Sequence, residues 1–475
     1  MKRQTEATTL QAWWFSVGNI ANNLIFMLIT MFMMFFFTNV MGLDPVVAGT
    51  LFMVARLVDA FTDPIMGMII DRTNLKRFGK YRGFIHFGAP LLGVVVVALF
   101  TVPNFSAGGK VLYAYIVYIL YSLCWTVVQV PQLTIPIIMS NNVAKRTKYQ
   151  AVFQGIGSIG AAGASALAMA IVNQSGGMTD PHAWQLTAIC FAVIATIGFE
   201  ISTLAVRNLD TYNPKAREET AVKAKKAAAG GKLSFKERSA FILQNVALFA
   251  LLISFGTDMF ANQINSQTNT YFYMYNMGGR TDLMSILGAL PMPVSIAMIF
   301  LAGPIVAKFS KKRTICFCEI VGIVASLAIF LDGARHIPVL MICSCLSTIA
   351  FAVCNLMCRT ALLDVASYTR VKTGVDAAGL MASSFTFANK LCQAVASFAA
   401  GWMLKLIALD TTAAVQSEGT LNALLACRSF IPIAAYVITL IAMHFYPIDK
   451  QGEADLQVAL DELKQKETEV GQAAE

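Results

Sequence analysis

The stretch VVAGTLFMVARLVDAFTDPIMGMII, from Val46 to Ile70, is apolar over the length of a bilayer crossing yet carries Arg56, Asp59 and Asp63 near its middle. A helix needs about 20 predominantly apolar residues to traverse the hydrocarbon core. A charge at the bilayer centre costs at least about 2.5 to 3.5 kcal/mol on insertion scales, so a carboxylate there needs a partner or a task. Asp71 and Arg72 follow at once, then Lys76, Arg77, Lys80 and Arg82. The segment therefore reads as a membrane helix with a polar centre, ending at a basic aqueous loop.

The rest of the chain repeats that pattern. Of its 475 residues 57% are hydrophobic and 13% charged, about half the charged fraction of a soluble domain. A mean hydropathy of +0.63 over the whole length places most of the chain in lipid. Twelve apolar segments are expected: Phe15 to Phe37, Val46 to Ile70, Phe84 to Val102, Val111 to Ser140, Tyr149 to Val172, Gln185 to Val206, Phe241 to Tyr273, Leu283 to Lys308, Thr314 to Leu331, Pro338 to Leu363, Ala377 to Leu406 and Leu425 to Tyr446. The polar, lysine-rich Arg207 to Arg238 divides them six and six. This gives an N-terminal half over residues 1–206, a basic central loop over 207–240, a C-terminal half over 241–446 and a tail over 447–475.

The net charge of +9 is a topology signal rather than a nucleic-acid footprint, because the basic residues sit in loops between apolar segments. They follow the second span, the fourth (Lys145, Arg146, Lys148) and the eighth (Lys308, Lys311, Lys312, Arg313). With Lys2, Arg3 and the central loop, both termini are expected in the cytoplasm of a cell whose inner membrane holds the chain. Met1 to Gln11 shows no signal-peptide cleavage site. The ten cysteines lie mostly in apolar segments, which excludes an extracellular disulfide framework. Cys316 with Cys318 and Cys343 with Cys345 fall near opposite ends of consecutive spans, so neither pair is expected to bind metal.

Asp59 and Asp63 are four residues apart and share a helix face with Arg56. Two carboxylates about 6 Å apart at an effective dielectric of about 20 repel by roughly 3 kcal/mol. One arginine cannot neutralise both, so a proton, a sodium ion or a lysine from another helix is needed, and exchange among these is a coupling device. Lys390, the single lysine in the middle of the eleventh span, is the complementary charge; a fixed salt bridge or clamp is the simpler alternative. Asn22, Asn23, Trp125, Thr126, Gln129, Gln154, Asn262, Gln263, Gln267 and Asn355 add amides, a hydroxyl and an indole inside spans. Sugar hydroxyls pair with such groups and a sugar's apolar face stacks on an aromatic ring, although interhelical hydrogen bonds use the same residues.

Ala55 to Pro64, Asp71-Arg72-Thr73 and Gly79-Lys80-Tyr81-Arg82, with Asp364, Tyr368, Lys372-Thr373-Gly374 and Lys390 in the second half, resemble the motifs of the glycoside-pentoside-hexuronide:cation symporters, a branch of the major facilitator superfamily. The resemblance implies an all-α fold of twelve transmembrane helices in two six-helix halves, working by alternating access. It implies that Asp59, Asp63 and Thr126 hold a coupling cation, Na+ or H+, and that Lys390 balances them when it leaves. The sugar would bind near the first, fourth and fifth helices, with no cofactor and no partner beyond the substrate, the cation and the bilayer; a monomer is expected. Where the family's best-known member has acids in the first and fourth helices and an arginine in the fifth, this chain has Asn23, Gln129 and Gln154, so a rewritten sugar pocket is expected. Thr62 replaces an asparagine of that sodium-using member, leaving sodium and proton both open. A carrier of lipid or another amphiphile on the same fold is the alternative. The four scattered histidines give no zinc motif of an intramembrane enzyme.

Overall fold

The computed structural model describes residues 6–73, 78–140, 143–210, 245–289, 309–333, 335–373, 378–411, 413, 415–452, 455–456 and 458–459. Among them lie twelve α-helices and no strand: α1 (Thr9–Phe35), α2 (Pro45–Arg72), α3 (Arg82–Leu99), α4 (Ala107–Ile138), α5 (Val143–Gln174), α6 (Pro181–Ala205), α7 (Val246–Tyr271), α8 (Thr281–Ala289), α9 (Lys311–Ala328), α10 (Ile337–Thr373), α11 (Ala378–Leu406) and α12 (Glu418–His444). Ten of the helical stretches are long and apolar enough to cross a membrane. Beyond Ala289 the expected eighth span lies outside the described residues, as do most of the central loop and the tail from residue 460. The chain is thus a membrane protein built of helices, as lipid demands when every backbone polar group must be satisfied within the segment.

Local chemistry sets the helix starts. The Thr8 side chain accepts from the backbone of Gln11, whose own side chain reaches back to Thr8, closing a capping box before α1. Asp44 and Asp180 cap α2 and α6, each followed by a proline at the first helical position. Helix α10 runs ten residues past the Leu363 expected from hydropathy, to Thr373. Its extension is held by Asp364 pairing with Lys311 and by Asn245 donating to Thr369 at 2.8 Å. Asp364 therefore has the local ion pair that its position at the end of the span calls for.

The chain divides into two compact units. The first comprises Met1–Lys232, Ser266–Met292 and Ala394–Asn422. Here α1 packs on α5 and α6 through small residues: a methyl group at Gly160 would collide with the Ile20 carbonyl, and one at Gly198 would stand 3.0 Å from Ala21. Lipid supplies no hydrophobic drive between helices, so such close backbone approach is what holds them. Phe32, Phe35, Phe36 and Phe100 surround Trp184, whose indole N–H donates to the Met178 carbonyl at 2.7 Å. The ends of α7 and α11 belong to this unit, Thr38 bonding Tyr271 at 2.6 Å and Gly49 lying against Gly401.

Arg82, read as a loop charge, is instead buried at the start of α3. Its side chain donates to the Thr203 and Arg207 carbonyls at the end of α6, where a cation meets the negative end of the helix dipole. Asp210 answers from the other side, accepting the backbone N–H of Lys80, Tyr81 and Arg82 at 2.9, 2.7 and 2.7 Å. The second unit, Leu233–Asn265, Pro293–Gln393 and Ala423–Glu475, centres on Leu251, Phe255, Met357, Val365, Met381 and Phe385.

Candidate cation and substrate site

Helices α2 and α4 lie side by side, and their polar residues meet in register. Ser122 donates to Oδ1 of Asp59, and Thr126 donates to Oδ1 of Asp63 at 3.0 Å. Each pair is separated by 63 places in the chain, the constant offset of two helices running parallel. A ladder results, two carboxylates on one rail and two hydroxyls on the other. The Arg56 guanidinium stands 3.6 Å from Oδ2 of Asp59 and 6.0 Å from the centre of the Phe26 ring. Asp59 is buried and Asp63 half-buried.

Thr126 was expected here; Ser122 was not. A serine inside an apolar helix commonly bonds a carbonyl of its own preceding turn, as Ser16 does with Ala12 at 2.6 Å, so its type alone does not single it out. Its spacing from Thr126 matches that of the aspartates, which is the signal that could have found it. Thr62 turns back on the Asp59 carbonyl at 3.5 Å.

The candidate sugar contacts scatter more widely. Trp125 is buried, stacked with Phe26 and with Tyr121 tilted beside it, both centroid separations being 5.9 Å. Asn23 donates to Asn19, which itself donates to the Phe153 carbonyl of α5 at 2.7 Å. Oδ1 of Asn22 is buried without a hydrogen-bond partner among the described residues. Gln132, one turn from Gln129, is buried with both amide atoms unpartnered among them. Gln129 is half-buried, and Gln154 is exposed on α5. Asn262, Gln263, Asn355 and Lys390 belong to the second unit. Asn262 is exposed, Gln263 buried and Lys390 half-buried, while Asn355 accepts from Arg359 at 2.8 Å.

Sequence reading overlooked two acids in the second unit. Asp258 of α7 and Glu319 of α9 are both buried inside spans. Each stands alone on its helix, without the doubled spacing that drew attention to Asp59 and Asp63. It also overlooked Glu200 of α6, which meets His86 at 2.8 Å.

Helices that cross a bilayer, small-residue packing and a ladder of carboxylates and hydroxyls in their midst define an integral membrane protein with a polar site inside its spans. The profile of the family described as MFS/sugar transport protein matches residues 14–450. The chain belongs to that family, in its glycoside-pentoside-hexuronide:cation symporter branch. It is 30% identical to the isoprimeverose transporter of Lactiplantibacillus pentosus, over 92% of this chain and 88% of that one. It is 25% identical to the inner membrane symporter YicJ of Escherichia coli (strain K12), over 95% and 94%. Among solved structures, the nucleoside transporter NupG shares the fold with a TM-score of 0.61 at 12% identity, covering 93% of this chain and 100% of that one.

Proposed function

We propose that this sugar transporter of the major facilitator superfamily is a symporter, drawing a sugar, glycoside or hexuronide across the inner membrane with a cation bound at Asp59 and Asp63. The observation that carries the reading is the α2–α4 ladder, which sets two hydroxyls against two carboxylates, one buried and one half-buried. Hard cations prefer such oxygens, and a proton satisfies the pair equally well. Arg56 offsets one charge and leaves the second for the coupling ion. Trp125 stacks on the sugar's apolar face, and Asn22, Asn23, Gln129, Gln154, Asn262, Gln263 and Asn355 supply hydrogen-bonding groups. The family resemblance assigns Lys390 the counter-charge role once the ion has gone, and charge balance then lets the loaded and the empty carrier reorient and not the half-loaded one. Both termini face the cytoplasm, and the monomer is the working unit. The names of the relatives, an isoprimeverose transporter and a symporter, support the cargo and the coupling.

The test is uptake in proteoliposomes. A thermal-shift screen of neutral glycosides, pentosides and uronic acids, with and without sodium, first picks the substrate. Accumulation driven by a sodium or proton gradient is then measured in wild type, Asp59→Asn and Asp63→Asn. Both variants should lose concentrative uptake while keeping sugar binding. Full accumulation in both would refute the site, and stabilisation by amphiphiles with none by sugars would favour a lipid cargo.

A further inference from the structure

Asp258, Glu319, Cys354 and Thr439 meet where α7, α9, α10 and α12 converge in the second unit, well within their spans. All four are buried, Asp258 at 4% exposure and Glu319 at 2%. One oxygen of each carboxyl and the Cys354 sulfur lie within 4.8 Å of one another. Among the described residues neither acid forms an ion pair with a lysine, arginine or histidine. This is the reverse of the first unit, where Arg56 attends Asp59.

The hydrogen bonds are not shared equally. Both Asp258 oxygens are approached by donors, Oδ2 by the Cys354 thiol at 3.0 Å and Oδ1 by the Thr439 hydroxyl at 3.2 Å. Oε2 of Glu319 is fully buried with no hydrogen-bond partner among the described residues. Asp258 thus sits in the surroundings of an anion, and Glu319 in those of a neutral acid. Two carboxylates this close in a protein interior cannot both stay ionised, and a proton held between them removes the conflict. Among the described residues the remaining titratable neighbours are Cys318 on α9, Cys358 on α10 and Tyr436 on α12. The Arg359 guanidinium, on α10, is engaged over the Phe255 and Phe385 rings and with Asn355. The site has little slack, because a methyl group at Gly322, three residues from Glu319, would stand 2.7 Å from the Tyr436 ring. The Tyr436 ring of α12 is therefore seated directly on α9 at Gly322.

We propose that Asp258 and Glu319 hold a single proton between them, resident on Glu319 and donated to Asp258, at a site separate from Asp59 and Asp63. The proton is the ligand, Cys354 and Thr439 hold the anionic partner, and neither a sugar nor a metal ion is required.

Infrared difference spectroscopy of the full chain in phosphatidylcholine–phosphatidylglycerol nanodiscs tests this directly. Wild type at pH 7 should show the carbonyl band of a buried protonated acid, shifted in D2O. The band should vanish in Glu319→Gln and persist in the Asp59→Asn/Asp63→Asn double variant. In Asp258→Asn it should move, since the acceptor has changed; this variant keeps the test open should Glu319→Gln fold poorly. No band in wild type, a band indifferent to Glu319→Gln, or one unmoved in Asp258→Asn would overturn the proposal. So would stoichiometric sodium or zinc retained by wild type and released by Glu319→Gln.

Discussion

Ser122 and Thr126 each hold one carboxylate oxygen, Ser122 that of Asp59 and Thr126 that of Asp63, through side chains short enough to fit between two packed helices. A hydrogen bond to a charged group is worth about 1.5 to 3 kcal/mol, so removing either hydroxyl should weaken the coupling ion by roughly tenfold or more. Thr126→Ala and Ser122→Ala are expected to raise the cation concentration for half-maximal uptake by that factor, whereas Thr126→Ser, which keeps the hydroxyl, should stay near wild type. Equal losses in Thr126→Ala and Thr126→Ser would assign the effect to packing instead. Asp59 and Asp63 stand out in the sequence because two acids lie four places apart in an apolar run, with a fixed salt bridge as the simpler reading. Ser122 does not, since its partner is 63 places away and only the register of α2 against α4 reveals it. Asp258 and Glu319 each carried half of such a signal, and only the fold joins the halves.

At the scale of elements, the chain ties helix ends with polar locks and helix middles with glycine. Asp210 gathers three backbone N–H groups at the start of α3, and losing it leaves them without their acceptor in a buried corner. Asp210→Ala should destabilise the first unit by about 3 kcal/mol, the order expected for stranded buried donors, read as a lowered denaturation midpoint. Gly160→Val should do comparable harm through overpacking, about 3 kcal/mol or less if the helices can shift, with a matching loss of stability in detergent. A third lock responds to pH. Lys145, and then Ser140, hydrogen-bond Glu6 and hold its carboxyl below its ordinary range, while Ala7 donates to the Met139 carbonyl and accepts from Tyr149. A depressed carboxylate contributes stability above its unfolded value and loses it as pH falls through the folded one. Amide exchange around Ala7, corrected for intrinsic rates, should therefore quicken between pH 6 and pH 3 in wild type and show no such step in Glu6→Gln. Hydropathy fixed the middles of these helices better than their ends, because it reports where lipid stops. Helix α10 continues to Thr373 on side-chain locks that hydropathy does not register.

For the whole molecule, membrane character and helix order were legible because lipid imposes one rule on every span, and a run of apolar residues declares it. The two compact units were less so: the ends of α7 and α11 join the first unit through contacts such as Thr38 with Tyr271 and Gly49 with Gly401, which leave no mark in composition. The proposed coupling between ion and sugar is likewise a property of the assembled molecule, and it has a strict thermodynamic form. If the cation raises sugar affinity by some factor, the sugar must raise cation affinity by the same factor. Typical couplings of about 1 to 3 kcal/mol correspond to roughly 5- to 150-fold. Titration calorimetry of the purified carrier, run as sugar into cation-saturated and cation-free protein and then in the converse order, should return one factor in that range from both directions. In Asp63→Asn, with the hydroxyl of Thr126 deprived of its carboxylate, both factors should fall to one while sugar binding itself survives. A wild-type factor of one would separate the sugar site from the aspartate ladder and end the symport reading, whatever the carrier accumulates.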